Sequence, residues 1–488
     1  MPISVVDASQ PFVKQTETRL GKAVLPLVRD HPGQCGIVPL RDGRDAFAAR
    51  VLLADAAEHS LDVQYYIWHD DLSGGLLFEA LRRAADRGVR VRLLLDDNNT
   101  RGLDAILAAL NAHANIEVRL FNPFRHRRWR LLDYATDFAR LNRRMHNKSF
   151  TADNQVTIVG GRNVGDEYFG AGHEVMFVDL DVLAVGSVVD DVSRDFDRYW
   201  NSESVHPAGR VLGARTQPST LTVPPRPRDR EAREYTQVVA HQAFVQELLA
   251  GTLHIEWAKA TLVSDDPAKG LGRARDEGLL WTRIKALIGN PMTKLDLISP
   301  YFVPGARGVE YLTTLEKRGV RVAVLTNSLE ATDVVAVHAG YAKRRRPLLE
   351  AGVALFELKR GAAPPSPTPR GLGGSMGSSG SSLHAKTFAV DDARVFVGSF
   401  NFDPRSARLN TELGLVIESR TLASEIAAVF RDRIPGRAYR VFVDDRGRLE
   451  WEEQRDDARL VHRREPGSGF WKQLAVRIIA LLPIEWLL

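Results

Sequence analysis

One stretch of this chain occurs twice. Met145-His146-Asn147-Lys148-Ser149-Phe150-Thr151-Ala152-Asp153 is followed by Val159-Gly160-Gly161-Arg162-Asn163. Leu383-His384-Ala385-Lys386-Thr387-Phe388-Ala389-Val390-Asp391 is followed by Val397-Gly398-Ser399-Phe400-Asn401. Both read H-x-K-x4-D, then V-G-[GS]-x-N. In each copy the histidine stands 7 residues before an aspartate, 17 before an asparagine and 28 before a glutamate, Glu174 or Glu412. Each glutamate precedes an apolar run, Val175–Val178 or Leu413–Ile417. Farther upstream the likeness continues with gaps, Arg87–Val91 matching Arg318–Val322 and Leu61–Val63 matching Leu295–Leu297. A repeat of this reach is a duplicated domain of about 150–200 residues. The two motifs are expected to meet in space as one site.

The periodicity of each half is that of alternating strands and helices. In the first, Leu61–Trp68 reads as a strand, Gly74–Arg87 as a helix, Val89–Leu95 as a buried strand, Leu103–Ala112 as a helix and Ile116–Phe121 as a strand. This order argues for a mostly parallel or mixed sheet covered by helices, an α/β class. The H-x-K segments are expected on strands, where a period of two puts His146 and Lys148 on one face. Gln155–Val159 is the paired strand, and Gly160 and Gly161 read as allowing close backbone approach to a ligand. Leu183–Trp200 reads as an amphipathic helix closing the first domain.

His206–Glu234, rich in Pro, Arg and Thr, reads as a linker. The second half repeats the plan with strand His254–Ser264, helix Gly278–Ile288, strand Lys294–Ser299, helix Gly308–Arg318, strand Val320–Leu325, helix Thr332–Ala351 and strand Val353–Leu358. Gly361–Ser382 is low-complexity Gly/Ser/Pro directly ahead of the second histidine, either a lid or a disordered insertion. Tyr439–Trp451 reads as a hairpin turning at Asp444–Gly447, and a charged stretch, Glu452–Arg464, follows. The expected organisation is an N-terminal segment (1–43), a first domain (44–205, motif 146–163), a linker (206–235), a second domain (236–436, motif 384–401) and a C-terminal hairpin with an apolar tail (437–488).

Charge and apolar patterning bear on partners. The 488 residues carry 66 Lys+Arg against 61 Asp+Glu, a net charge of +5 and a pI of about 9.2, which favours anionic partners. A single cysteine, Cys35, excludes an internal disulfide framework. Met1–Thr16 lacks the basic and apolar regions of a signal peptide, and no run reaches the ~18 apolar residues of a spanning helix. The tail Phe470–Leu488 is apolar but interrupted by Lys472, Arg477 and Glu485. It suits either an interfacial segment or a helix docked on the protein. Between Arg119 and Arg144, eight arginines alternate with Trp129, Tyr134 and Phe138. That stretch suits an anionic membrane surface, a nucleic-acid backbone or a solvated loop, and the apolar tail favours the membrane.

The motif has the parts for phosphodiester transfer, which needs a nucleophile, an acid for the leaving oxygen and positive charge on the phosphoryl oxygens. A neutral imidazole attacks phosphorus, and a second holds the leaving-group proton. Lys148, Lys386, Asn163 and Asn401 offer donors to the non-bridging oxygens. Glu174 and Glu412 are placed to hold the imidazoles through the second ring nitrogen. No metal or other cofactor is expected, because the chain has no H-E-x-x-H, no cysteine cluster, no P-loop and no dinucleotide fingerprint. Asp96-Asp97 and Asp190-Asp191 read as solvated or capping residues rather than Mg²⁺ sites.

These residues resemble the phospholipase D superfamily, whose signature is the duplicated H-x-K-x4-D. The likeness runs from about Arg44 to Ile434. It implies two tandem domains, each a mixed sheet flanked by helices, sharing one site at a pseudo-twofold interface. It implies His146 as the nucleophile and His384 as the general acid, an assignment that is the family's habit. Lys148, Lys386, Asn163, Asn401 and Ser399 would bind phosphate, and Asp153 and Asp391 would complete the catalytic motifs by orienting them. Leu61–Trp68, Gly161–Phe169, Phe177–Val182, Phe196–Ser202 and Leu482–Glu485 are similar to the C-type bacterial cardiolipin synthase branch. That branch implies transfer of a phosphatidyl group onto phosphatidylglycerol, from a second phosphatidylglycerol or from phosphatidylethanolamine. It implies peripheral attachment to an anionic phospholipid surface, at the cytoplasmic face of a bacterial inner membrane, with nucleic acid not expected as a partner. The paired N-terminal transmembrane helices of A-type synthases are lacking. The rival readings are a lipid hydrolase releasing phosphatidic acid, a nuclease of the same superfamily, and a non-catalytic membrane scaffold.

Overall fold

The structure, a computed structural model, describes residues 16–171, 176–212, 230–361, 381–455 and 458–488. The strands of the first half are β1 (Cys35–Leu40), β2 (Ser60–Tyr65), β3 (Arg90–Asp96), β4 (Ile116–Phe121), β5 (Ser149–Ala152), β6 (Val156–Gly160), β7 (Met176–Val178), β8 (Asp181–Gly186) and β9 (Val205–Pro207). Those of the second are β10 (Glu256–Ser264), β11 (Lys294–Ile298), β12 (Arg321–Asn327), β13 (Ala354–Leu358), β14 (Ser381–Leu383), β15 (Thr387–Val390), β16 (Arg394–Gly398), β17 (Leu413–Glu418), β18 (Ala438–Val443), β19 (Leu449–Arg455) and β20 (Ala458–His462).

The pairings run β9-β4-β3-β2-β5-β6-β8-β1 in the first half and β10-β17-β16-β15-β11-β12-β13-β18-β19-β20 in the second, joined where β1 pairs antiparallel with β10. Within each half the same motif recurs. Three parallel strands (β2, β3, β4; β11, β12, β13) abut an antiparallel hairpin (β5–β6; β15–β16) and one further strand (β8; β17). Parallel strands need crossover helices, and these supply the outer layers. Leu72–Asp86 covers the first sheet with Leu77, Phe78, Leu81 and Ala84, and Asp71 caps it by accepting from Gly74 N at 2.9 Å. The apolar run of β3, buried on both faces, has the composition of a central parallel strand. At the β1–β10 seam Gly36 is required by close approach, since a Cβ there would lie 2.7 Å from Val185 Cγ2 and 2.8 Å from Ile255 Cγ2.

The aspartates of the two motifs make the hairpin turns. Asp153 and Asn154, and again Asp391 and Asp392, have φ near +50°, the type I′ geometry that matches strand twist. The Asp153 carboxylate then accepts the backbone N–H groups of Glu58, His59 and Ser60 at the start of β2, at 2.8–3.0 Å. Asp391 does the same for Met292, Thr293 and Lys294 ahead of β11, at 2.7–3.1 Å. Both are therefore structural pins.

Several sequence expectations need correction. Leu183–Gly186 belongs to β8, and the helix begins at Ser187. An apolar run feeding straight into a helix hides such a boundary from periodicity. Thr332–Ala351 is two helices, Val335–Ala342 and Arg345–Glu350. The expected linker contains β9 and the helix Ala208–Leu212 at one end and the helix Arg230–Ala240 at the other; its middle, 213–229, lies outside the described residues, as do 362–380 of the Gly/Ser/Pro stretch. The charged segment after the hairpin contributes β20. Asp96 and Asp97 are fully buried rather than solvated, and the capping alternative holds for Asp96, which accepts from Asn98 N at 2.9 Å. Half of the eight arginines from Arg119 to Arg144 are turned to internal use. Arg119 stacks 4.5 Å over Trp200, Arg127 pairs with Asp97 and Asp104, and Arg144 is buried on Asp96 at 3.1 Å.

Candidate active site

His146 and His384 stand just ahead of β5 and β15, in extended chain rather than within the strands. Each is delivered by pairing with the opposite half. Met145 bridges Thr411 in parallel, with His146 N donating to Thr411 O at 2.8 Å and Thr411 N to Arg144 O at 2.9 Å. On the other side β14 pairs in parallel with β7, and the N–H groups of His384 and Ala385 both reach Val178 O, at 2.8 and 2.9 Å. Buried Asp96 anchors the first arm by accepting from Met145 N at 2.7 Å. Burial pushes its carboxyl up to about 6.

The carboxylates that hold the imidazoles are also crossed. His146 Nδ1 lies 2.8 Å from Glu412 Oε2, and His384 Nδ1 lies 2.5 Å from Asp179 Oδ2. Glu412 therefore serves the histidine of the other half, not the one 28 residues before it. Glu174, expected as its counterpart, lies outside the described residues; the carboxylate on His384 is Asp179. Sheet register shows why. Gly160 pairs with Asp181 and Gly398 with Gly414, and two residues before those partners stand Asp179 and Glu412. The first half is five residues longer here, so an ungapped count lands short. Gly160 and Gly161 belong to the same arrangement. A Cβ on Gly160 would lie 2.1 Å from Asp181 Oδ1, and one on Gly161 would lie 2.2 Å from Asp179 Oδ1. These glycines make room for the carboxylates rather than for a ligand.

The lysines close the site. Lys148 Nζ donates to His146 O at 2.6 Å, and Lys386 Nζ bonds His384 O and lies 3.2 Å from His384 Nε2. Burial pushes Lys148 well below its usual range, with Lys386 adding to the effect, and pushes Lys386 down to about 8. Burial, then Lys148, Lys386 and His384, holds the His146 imidazole well below 6.5. Burial and Lys386 lower His384. Glu412 is pushed up to about 7 by burial, against the pull of Lys148. Burial works against ionisation of Asp179 too, but His384 and Lys386 outweigh it and hold that carboxyl below its ordinary value. Four basic groups that depress one another form a pocket built for an anion.

The remaining predicted residues are nearby with distinct partners. Asn163 Nδ2 donates to Tyr168 Oη at 3.0 Å, and the Tyr168 ring packs edge-on against His384. Asn401 Oδ1 is buried without a partner. The Ser399 hydroxyl donates to Glu412 Oε2 at 2.5 Å, so it supports the carboxylate rather than facing phosphate. Residues missed by sequence reasoning are Asp179, Asp96, Tyr66 (edge-on to the His146 ring) and Asp265, which accepts from Glu412 N at 2.9 Å and is paired with buried Lys269. The equivalence of Asp179 and Glu412 was open to a gapped alignment; the others carry no local signal.

Among the described residues, one trio has metal-ligating atoms within 4.8 Å of one another: His69, Asp71 and Glu167. Asp71 is already committed to Gly74 N and Asp166 N, which is a capping role. A groove of about 540 Å³ reaches Phe400 and Phe402, which flank Asn401, and is lined also by Trp281, Arg408 and Trp486.

The chain is similar to known proteins over most of its length. The family model described as cardiolipin synthase, PLD-like domain, matches residues 52–200 and 284–434. Cardiolipin synthase C of Escherichia coli (strain K12) is 53% identical over 96% of this chain and 100% of its own length. The major cardiolipin synthase ClsA of Bacillus subtilis (strain 168) is 26% identical over 80% of this chain and 67% of its own. The crystal structure of a phosphatidylserine synthase from Haemophilus influenzae Rd KW20 shares the fold, with a TM-score of 0.53 at 14% identity over 86% of this chain and 91% of that one. A chain with two matched halves and this likeness over nearly its whole length belongs to the cardiolipin synthase family of phospholipase D-like proteins.

Proposed function

We propose that the protein is a cardiolipin synthase that works through a phosphohistidine. The observation that carries this reading is the asymmetry of two otherwise matched pairs. Each Nδ1 is bound to a carboxylate, so the reactive nitrogen of each ring is Nε2. His146, buried among cations beside a carboxyl near neutrality, is held neutral and nucleophilic. His384 is lowered too, by burial and Lys386, but it faces a carboxylate held ionised, which favours its imidazolium in a way the His146 pair does not.

In the first step His146 Nε2 attacks phosphorus, the P–O bond to the headgroup alcohol breaks, and His384 gives its Nε2 proton to the leaving oxygen. In the second, a hydroxyl of phosphatidylglycerol gives its proton to His384 and attacks phosphorus, and the P–N bond breaks. Lys148, Lys386, Asn163 and Asn401 face the non-bridging oxygens. The donor is phosphatidylglycerol, releasing glycerol, or phosphatidylethanolamine, releasing ethanolamine. The enzyme acts at the surface of a bacterial inner membrane, on its cytoplasmic side.

Purified protein incubated with phosphatidylglycerol, alone and with phosphatidylethanolamine, is expected to yield cardiolipin identified by mass, with or without chelator. Phosphatidic acid as the sole product would overturn the synthase reading. His384→Asn is expected to trap label on His146 from a substrate with a good leaving group; no label there, with label on His384 in His146→Asn instead, would reverse the roles.

A further inference from the structure

Among the described residues, more than half of the exposed large apolar side chains lie in two short segments far apart in sequence. Trp129, Leu131, Leu132 and Phe138 belong to the helical hairpin spanning 127–141, where Leu131 is 84% exposed. The others lie in the C-terminal segment, where Phe470, Trp471, Ile478, Leu481, Leu482 and Trp486 face outward and Leu481 is 86% exposed. The C-terminal helix Phe470–Leu481 docks through Val476, with Ile479 and Ala480, onto Leu329 and Ala339. Its apolar side chains are divided between that contact and the outside. Lys472, which would ordinarily face water, turns inward and donates to Leu329 O at 2.5 Å, while Trp471 and Ile478 are left outside.

One residue joins the two segments. The Arg405 guanidinium donates to Asn142 O at 3.1 Å and Asn142 Oδ1 at 2.6 Å, at the end of the hairpin, and to Leu487 O at 2.9 Å. Its backbone N–H reaches Leu488 O at 2.8 Å. The hairpin is tied in turn to the active site. Tyr134 Oη donates to Asn98 Oδ1 at 2.7 Å, Asn99 Nδ2 donates to Tyr66 O at 3.2 Å, and Tyr66 packs on His146. Arg128 and Arg477 stand exposed among the apolar side chains. Trp, Phe, Leu and Ile with arginine between them is the composition of a surface that sinks into a headgroup layer. Each arginine adds attraction to an anionic surface.

We propose that the hairpin (127–141) and the C-terminal segment (470–488) form one bilayer-docking face, stapled by Arg405, that seats the paired-histidine site on an anionic phospholipid surface. The inference rests on the lipid-transferase reading, whose substrates lie in a bilayer.

The test uses the full chain and co-sedimentation with vesicles of phosphatidylcholine, with and without phosphatidylglycerol. Wild type is expected to favour the anionic vesicles, and less so as salt rises. Leu131→Ser/Leu132→Ser and Trp471→Ser/Ile478→Ser are each expected to weaken partitioning about tenfold or more, and the combined variant further still. All should keep wild-type melting temperature and wild-type turnover of monomeric short-chain phosphatidylglycerol. Unchanged partitioning in the combined variant overturns the proposal. So does a wild-type dimer that these substitutions dissociate, which would make the face a contact between copies of the chain. Binding needs no turnover, so the two readings fail separately. His146→Ala should bind vesicles like wild type, and docking survives if no cardiolipin is formed, whereas cardiolipin formation with unchanged partitioning sinks docking alone.

Discussion

At the residue scale the crossed carboxylates matter most. Asp179→Asn keeps its size but loses the charge that steadies the His384 imidazolium. Turnover is expected to fall about 10²–10⁴-fold with little change in melting temperature. The depressed lysines make a second prediction. An anion such as tungstate restores the charged state of Lys386, ordinarily near 8 here, so its binding at pH 8 should take up protons. Calorimetry in two buffers of different ionisation enthalpy reads this directly; proton release would contradict it. Glu412 gives a third. Its folded value, about 7, lies above its ordinary 4.5, so its contribution to stability is fully present below pH 4.5 and is lost as pH rises through 7. The loss amounts to about 3 kcal/mol. Glu412→Gln should flatten the fall in melting temperature between pH 5 and 8, while abolishing turnover.

At the element scale the motif aspartates and glycines work through the backbone. Asp153 is wholly buried and pins three N–H groups of the β2 start, whereas the N–H groups that Asp391 accepts lie nearer the surface. Asp153→Ala is expected to cost about 2–3 kcal/mol, and Asp391→Ala less, because solvent replaces lost partners more easily there. Denaturant titration measures both. Gly161→Ala should push Asp179 off His384 and lower turnover although Gly161 touches no substrate. These elements also show how far sequence could reach. The paired strands and crossover helices were legible because a period of two or 3.6 follows from one-sided burial. The boundary at Gly186 and the break near Arg344 were not, because apolar and helix-forming residues continue through both.

At the scale of the whole molecule, the halves are one machine. The β1–β10 seam joins the sheets, and each histidine rests on backbone and carboxylate from the other half. Neither half alone therefore has the site complete. Co-expressed pieces split between Leu212 and Arg230 are expected to associate into one active particle, while either piece alone is inactive. Size-exclusion chromatography with an activity assay decides this, and activity in a single piece would refute the shared site.

The sequence by itself determined the duplication and the family and singled out His146, Lys148, His384 and Lys386, because side-chain identity and spacing are written along one dimension. Only the tertiary structure decided which carboxylate serves which histidine. That pairing depends on strand register across a pseudo-twofold axis, and five extra residues before β8 move the partner from the expected count to Asp179. It likewise decided the fate of charge and apolar surface. Half of the arginines of the basic stretch turned inward to buried aspartates and aromatic rings, while apolar side chains beside them, and several of the C-terminal helix, were left facing out.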